Sequence, residues 1–89
     1  MLKPEYTNKF QKDLSLLQKR GYKMDKLKTV IEKLVDEDSL PERNRDHNLI
    51  GNYAGYRACH IEPDWLLVYY YGDDVIVFAR TGTHSDVFR

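Results

Sequence analysis

The stretch that decides the fold is residues 59–71, whose sequence is CHIEPDWLLVYYY. Its second half, residues 65–71, is an uninterrupted apolar and aromatic run that predicts a buried central strand. Its first half contains Glu62, Pro63 and Asp64. Because proline presets a turn dihedral and cannot sit inside a central ladder, we expect a tight turn there. The stretch therefore predicts the turn and the second arm of a β-hairpin.

Further strands are predicted on both sides of this arm. Residues 53–61 precede the turn, and residues 75–81 follow a second turn that contains Gly72, so the three strands form an antiparallel meander. A short first strand is predicted over residues 2–6, at an edge because it contains Pro4. The tail beyond residue 81 is expected to end in a helical turn.

Two helices are predicted before the meander. The first begins near Thr7 or Asn8 and ends at Gly21, and the second covers residues 24–36, where apolar residues recur at the spacing of one helix face. The predicted fold is α+β in a single domain, residues 1–89: one N-terminal strand, an antiparallel two-helix hairpin and a three-stranded antiparallel meander. Residues 38–52 are polar and predict a long connecting loop.

Composition narrows the class of protein. A chain of 89 residues with one cysteine cannot form an internal disulfide, and no apolar run approaches the roughly 18 residues of a membrane span. No secretory signal is visible, so we expect a cytoplasmic protein without membrane contact. The formal net charge is zero, which gives no help to non-specific RNA binding.

Four titratable side chains are candidates for chemistry: His47, His60, Asp64 and His84. The predicted turn brings His60 and Asp64 to facing strand ends, and a carboxylate beside an imidazole suits general acid or base catalysis near neutral pH. Alternatively, both are polar turn residues that hydrogen-bond to the backbone. Local sequence alone favours this second interpretation.

Arg80 ends an otherwise apolar strand, where an unpaired buried charge would be costly. It is expected to reach solvent, to pair with Asp64 or to bind a phosphate. Strand parity places Arg80 with Ile76 and Phe78, but both faces of the strand are apolar, so parity does not decide which face it occupies.

No metal or cofactor is predicted. The three histidines and Asp64 lack the spacing of a compact zinc motif, cysteine pairs are absent, and no glycine loop of the phosphate-cradling kind is present.

Four segments carry a family resemblance through their order and spacing: DHNL at 46–49, GYR at 55–57, HIEPDW at 60–65 with Leu67 and Tyr69, and RTGTHS at 80–85 with Phe88. Together they resemble the YafQ branch of the RelE/ParE toxin superfamily over essentially the whole chain. The resemblance implies the toxin of a type II toxin–antitoxin pair, a ribosome-dependent endoribonuclease that cuts translated mRNA. It also implies a cognate antitoxin as partner, with operator DNA bound only through that antitoxin.

The resemblance places the family's catalytic positions on His47, His60, Asp64 and His84. It places neighbouring substrate-binding positions on Trp65, Arg80 and Phe88. We expect His84 to be the general acid, Asp64 with His47 or His60 to form the basic side, and Arg80 to hold the phosphate.

Two alternatives remain at this point. One is a non-enzymatic topoisomerase inhibitor of the ParE type, which would have no use for acid and base groups. The other is an inactive toxin homologue that acts as a binding module. Toxins of this type are commonly basic, whereas this chain is neutral: residues 1–45 contain 11 basic and 8 acidic residues, and residues 46–89 contain 3 and 6.

Overall fold

The elements follow an α+β order, as predicted. The computed structural model describes residues 1–88. In chain order the helices and strands are β1 (Lys3–Tyr6), α1 (Asn8–Lys19), α2 (Met24–Val35), β2 (His47–Asn48), β3 (Arg57–Glu62), β4 (Trp65–Tyr71), β5 (Val75–Gly82) and α3 (His84–Val87). Short 3₁₀ turns cover Glu42–Asn44 and Gly51–Tyr53. Within residues 1–88, no helix has the length and apolar character needed to cross a membrane.

The sheet has five strands in the order β1-β5-β4-β3-β2, so the prediction of four strands is wrong. Strands β3, β4 and β5 form the expected antiparallel meander, and β1 adds to it parallel to β5. The additional strand is β2, which pairs antiparallel with β3 inside the segment predicted as a loop. Two polar residues, His47 and Asn48, are too few to show an alternating pattern, so only the pairing with β3 defines this strand.

The third strand also begins later than predicted. Residues 53–61 were expected to be extended, whereas β3 starts at Arg57. Tyr53 lies in a 3₁₀ turn, and Gly51 and Gly55 have φ values of +67° and +94°. This left-handed backbone favours glycine and interrupts an extended strand.

Both faces of the sheet are covered, which explains why β4 has no polar position. Trp65, Leu67 and Tyr69 point to the helices, whose packed side chains are Phe10, Leu17, Leu27, Val30 and Leu34. Val68 points to the other face, where it packs with Ala58 of β3, Ala79 of β5 and Val87 of α3. We call these the helix face and the second face. The candidate site lies on the second face.

Candidate active site

A cavity of about 390 Å³ opens on the second face of the sheet, a volume within the roughly 300–1,000 Å³ typical of small-ligand sites. We call it the histidine cavity. Its lining residues are His47, Leu49, Ile50, Tyr53, Ala58, His60, Leu66, His84 and Phe88. Ala58 and Leu66 come from the sheet and make the floor apolar, while the three histidines come from β2, β3 and α3. The fold therefore brings together imidazoles that are separated by up to 37 positions in sequence (84 − 47).

His47 and His60 lie side by side in this cavity. Their ring centroids are 6.5 Å apart and the rings are inclined by only 28°. The Nδ1 atom of His47 lies 2.6 Å from the carbonyl oxygen of Arg45, and that of His60 lies 3.1 Å from the carbonyl oxygen of Pro63. A carbonyl can only accept a hydrogen bond, so each Nδ1 carries the proton and donates it. The free Nε2 atoms are therefore the ones available to take up a proton.

His84 stands at the first position of α3, a helix of four residues whose N-cap is Thr83. Its ring packs 5.1 Å from the ring of Phe88, which in turn lies 5.1 Å from the ring of Tyr53. His84 is exposed, whereas Phe88 is half-buried. The two aromatic rings thus support an imidazole that remains accessible to solvent.

Asp64 contacts His84 through the backbone. Its Oδ1 atom accepts a hydrogen bond of 3.0 Å from the backbone N–H of His84. The sequence predicted an interaction of Asp64 with His60, but the imidazole of His60 is held by the neighbouring Pro63 carbonyl. Asp64 therefore fixes the start of α3 relative to the β3–β4 turn.

A polar network holds β2, and with it His47, against β3. The Asp46 carboxylate accepts a hydrogen bond from the Tyr69 hydroxyl and pairs with the Arg57 guanidinium, with Oδ2 and Nη2 3.1 Å apart. Arg57 also donates to Asn48 at 2.6 Å. Burial and the bond to Asp46 raise the pKa of Tyr69 far above its ordinary value, and Asp46 raises the pKa of Arg57. Tyr69 thus remains a neutral donor and Arg57 a cation.

Arg80 is held by α1. Its Nε and Nη2 atoms donate to the two carboxylate oxygens of Asp13 at 2.8 and 3.2 Å, and Nη2 also reaches the Asp86 carbonyl at 3.2 Å. The hydrogen bonds to Asp13 raise the pKa of Arg80, so it remains charged. The pairing of Arg80 with Asp64 that the sequence suggested is wrong, because the partner of Arg80 is Asp13.

The parity predicted for Arg80 is also wrong. A register shift in the ladder pairs Phe78 with Tyr69 but Arg80 with Val68, so Ala79 is an extra residue on β5. A bulge of this kind breaks the alternation of side chains, and Arg80 no longer shares a face with Phe78.

Trp65 lies on the helix face, away from the histidine cavity. It is 1% exposed, its indole N–H donates to the Thr81 hydroxyl at 2.9 Å, and Tyr22 packs edge-on against it at 4.9 Å. This side chain is part of the core. Of the three residues expected to bind substrate, only Phe88 lines the cavity.

Sequence reasoning missed several contributors to the site. The sequence predicts Tyr53 to be a strand residue and Ile50 to be part of the connecting loop. The structure places both in the lining of the cavity, and Ile50 is 88% exposed, which is unusual for a large apolar side chain. Asp13 lies 67 positions from Arg80, so no local pattern links them. Within residues 1–88, no three His, Cys, Asp or Glu side chains are arranged to hold a metal ion.

Three imidazoles that line one cavity on a small α+β fold point to an enzyme that works by proton transfer. Comparison with known proteins agrees. Residues 2–89 match the family described as the bacterial toxin of type II toxin–antitoxin systems, YafQ. The chain belongs to this family, which confirms the resemblance predicted from sequence.

Individual relatives support this assignment. The chain is 44% identical over 85 residues to the "mRNA interferase toxin YafQ" of Escherichia coli K12, covering 94% of this chain and 92% of the relative. It is 41% identical to YafQ in a crystal structure of the E. coli DinJ–YafQ complex, with a TM-score of 0.92 and full coverage of both chains. A metal-bound toxin from Helicobacter pylori is 38% identical, with a TM-score of 0.93 and coverage of 99% of this chain and 100% of that one.

Proposed function

We propose that this protein is an endoribonuclease that cleaves mRNA on the ribosome, the toxin of a type II toxin–antitoxin system. The observation that carries the proposal is the histidine cavity, where His47, His60 and His84 meet over an apolar floor. The E. coli relative is named an mRNA interferase toxin. A topoisomerase inhibitor would have no need for three imidazoles around one cavity.

The chemistry is acid–base cleavage that uses the 2′-hydroxyl of the RNA itself. A base removes the 2′-hydroxyl proton, the 2′-oxygen attacks the adjacent phosphorus, and the bond from phosphorus to the 5′-oxygen breaks as an acid protonates that oxygen. Each proton transfer contributes about 10²- to 10⁴-fold to the rate. These steps need only side chains that exchange protons near neutral pH, which describes imidazoles.

The roles follow from how each imidazole is held. His47 and His60 have Nδ1 committed to backbone carbonyls, so one of their Nε2 atoms serves as the base. His84, which lines the same cavity from α3, serves as the acid. Asp64 was expected on the basic side, but its bond to the His84 backbone favours a role in positioning the acid.

Positive charge at the phosphate is assigned to Arg80, as the resemblance implies. The Asp13 carboxylate compensates this charge in the free protein. The Nη1 atom of Arg80 takes no part in the contacts with Asp13 and Asp86. We propose that Arg80 reaches the phosphate through this nitrogen or by exchanging Asp13 for the substrate.

A cognate antitoxin is the expected inhibitor. The E. coli relative forms a complex with DinJ, and this chain covers the whole of the toxin in that structure. Binding of operator DNA would then pass through the antitoxin, and the ribosomal target places the toxin's action in the cytoplasm.

The test is cleavage by a His84→Ala variant. Loss of the general acid should slow single-turnover cleavage of mRNA on programmed ribosomes by about 10²- to 10⁴-fold, with ribosome binding retained. Ser85→Ala, at the exposed neighbouring position of the same short helix, is the matched control and should cut at the normal rate. Cleavage by His84→Ala at the wild-type rate would remove this residue from the mechanism. If the wild-type toxin instead arrests growth with DNA damage and intact mRNA, the nuclease proposal itself is wrong.

A further inference from the structure

A second depression lies beside the histidine cavity. Its volume is about 360 Å³. Its lining residues are Arg43, Arg45, His60, Ile61, Glu62 and Pro63, and we call it the arginine groove. His60 lines both the groove and the histidine cavity, so the two are compartments of one continuous surface. A polymer with one unit in the histidine cavity can therefore extend past His60 into the arginine groove.

The turn that presents the two arginines is anchored to the site. Asn44, between them, is buried with 6% of its surface exposed, and its side-chain N–H donates to the backbone carbonyl of His60 at 2.6 Å. Arg45 follows in a left-handed conformation with φ of 46°, and its carbonyl accepts the bond from His47. The backbone of this turn is therefore fixed to both histidines, while the arginine side chains are exposed.

Neither arginine of the groove has a salt-bridge partner among residues 1–88. Within residues 1–88, the salt-bridged arginines are Arg20, Arg57 and Arg80, whose partners are Asp86, Asp46 and Asp13. Arg43 and Arg45 form no such ion pair in this part of the chain. The only carboxylate that lines the groove, that of Glu62, is paired with Lys26. The groove thus contains two guanidinium groups that form no salt bridge within residues 1–88. Its one carboxylate, that of Glu62, has its charge balanced by Lys26.

Positive charge continues beyond the groove. A neighbouring depression of about 360 Å³ shares Arg43 and Ile61 with it and is also lined by Lys26 and Lys33 of α2. Since Glu62 balances the charge of Lys26, Lys33 is the cation that this depression adds beyond the groove, although the chain as a whole is neutral. Concentrated charge of this kind attracts a polyanion where net charge does not.

We infer that Arg43 and Arg45 form a phosphate-binding subsite for the mRNA backbone next to the cleaved bond. This inference rests on the proposed function and extends it. A guanidinium group can bind a phosphate through two parallel N–H donors, which fixes both position and orientation. By holding a flanking phosphate, the anchored turn sets which phosphodiester enters the histidine cavity.

The test is salt-dependent binding of a fluorescent 2′-O-methyl RNA octamer, which lacks the free 2′-hydroxyl and cannot be cleaved. For single strands the logarithm of the binding constant falls with the logarithm of salt concentration, with a slope of about −0.7 per phosphate contact. The double variant Arg43→Gln/Arg45→Gln should reduce that slope by about 1.4, the value for two contacts. The matched control is Lys3→Gln/Lys9→Gln, which removes the same charge from β1 and the start of α1, at the opposite edge of the sheet. Its slope should equal that of the wild type.

The same variants are then compared on programmed ribosomes, with the midpoint of thermal unfolding confirming that each is folded. The arginine variant should cleave with a raised KM. An equal loss of slope in the lysine control would overturn the inference, because diffuse charge would then explain the binding. A loss of affinity for ribosomes with unchanged octamer binding would also overturn it, since the arginines would then contact ribosomal RNA. Either result leaves the proposed nuclease standing, whereas absence of mRNA cleavage by the wild type rejects the nuclease whatever the octamer shows.

Discussion

Two adjacent residues, Cys59 and His60, show how one strand serves both the core and the site. Alternation along β3 turns Cys59 to the helix face, where it is fully buried, and His60 to the second face, where it lines the cavity. Burial raises the pKa of Cys59 to about 12. The reactive form of a cysteine is the thiolate, so this thiol is inert in the folded protein.

We expect Cys59 to resist alkylation until the chain unfolds. Native protein at pH 8 should take up almost no iodoacetamide during the time in which the same protein in urea is labelled completely, as measured by intact mass. A cysteine in the site would behave differently, because exposure and neighbouring imidazoles favour the thiolate. Rapid labelling of the native protein, with unchanged circular dichroism, would show that this part of β3 is not buried as described.

At the scale of elements, β2 determines where His47 lies. Its two residues make few backbone bonds, and the Asp46 carboxylate supplies the additional attachment through Tyr69 and Arg57. Asp46 is therefore a positioning residue for His47. In the proposed mechanism, its effect on cleavage would act through the placement of that imidazole.

We predict that Asp46→Ala loses both stability and activity. It leaves the buried hydroxyl of Tyr69 without its acceptor, which should lower the free energy of unfolding by about 1–3 kcal/mol. Displacement of a catalytic group by about 1 Å can cost about 10²-fold in rate, so cleavage should fall by up to that factor. Denaturant unfolding and single-turnover cleavage measure the two effects.

The matched control for this variant is Tyr69→Phe, which keeps the ring in the core and the pair between Asp46 and Arg57. It should retain most of the activity. A change in the His47 imidazole resonances in Asp46→Ala, but not in Tyr69→Phe, would identify the carboxylate as the group that positions the ring. Equal activity of the two variants would mean that the pair between Asp46 and Arg57 does not position His47.

Elements could be predicted from sequence where their pattern is long. The apolar spacing of α2 and the unbroken run of β4 gave the correct element types because each repeats over many residues. The strand β2 has two residues and no pattern, and the bulge at Ala79 depends on how β4 and β5 pair. Such features arise from contacts between distant segments, which a local pattern does not contain.

At the scale of the whole molecule, α1 is joined to the site at two points. Asp13 binds Arg80 at the end of β5, and Arg20 donates to the Asp86 carboxylate in α3 at 2.8 Å. Asp86 also accepts the backbone N–H of Thr83, the residue before His84. The position of the proposed acid therefore depends on a helix that does not itself line the cavity. The sequence located His84 through a motif, but it could not reveal these attachments, because their partners are 66 and 67 positions apart.

The attachment through Asp86 gives the fold a specific dependence on acid pH. Its hydrogen bond with Arg20 and those with Thr83 lower the pKa of Asp86 to about 2, below its ordinary value of 3.8. Because the folded-state pKa is the lower one, the stabilisation is fully present above about pH 4 and is lost as the pH falls towards 2. The difference in unfolding free energy between the wild type and Asp86→Asn should therefore shrink over this interval, while contributions of the other carboxylates cancel.

Denaturant titrations at several pH values measure this difference in unfolding free energy. The variant Arg20→Gln removes the main cause of the lowered pKa of Asp86, so its stability should show a similarly weakened pH dependence. A difference that stays constant from pH 4 to pH 2 would mean that Asp86 does not link α1 to α3 in solution.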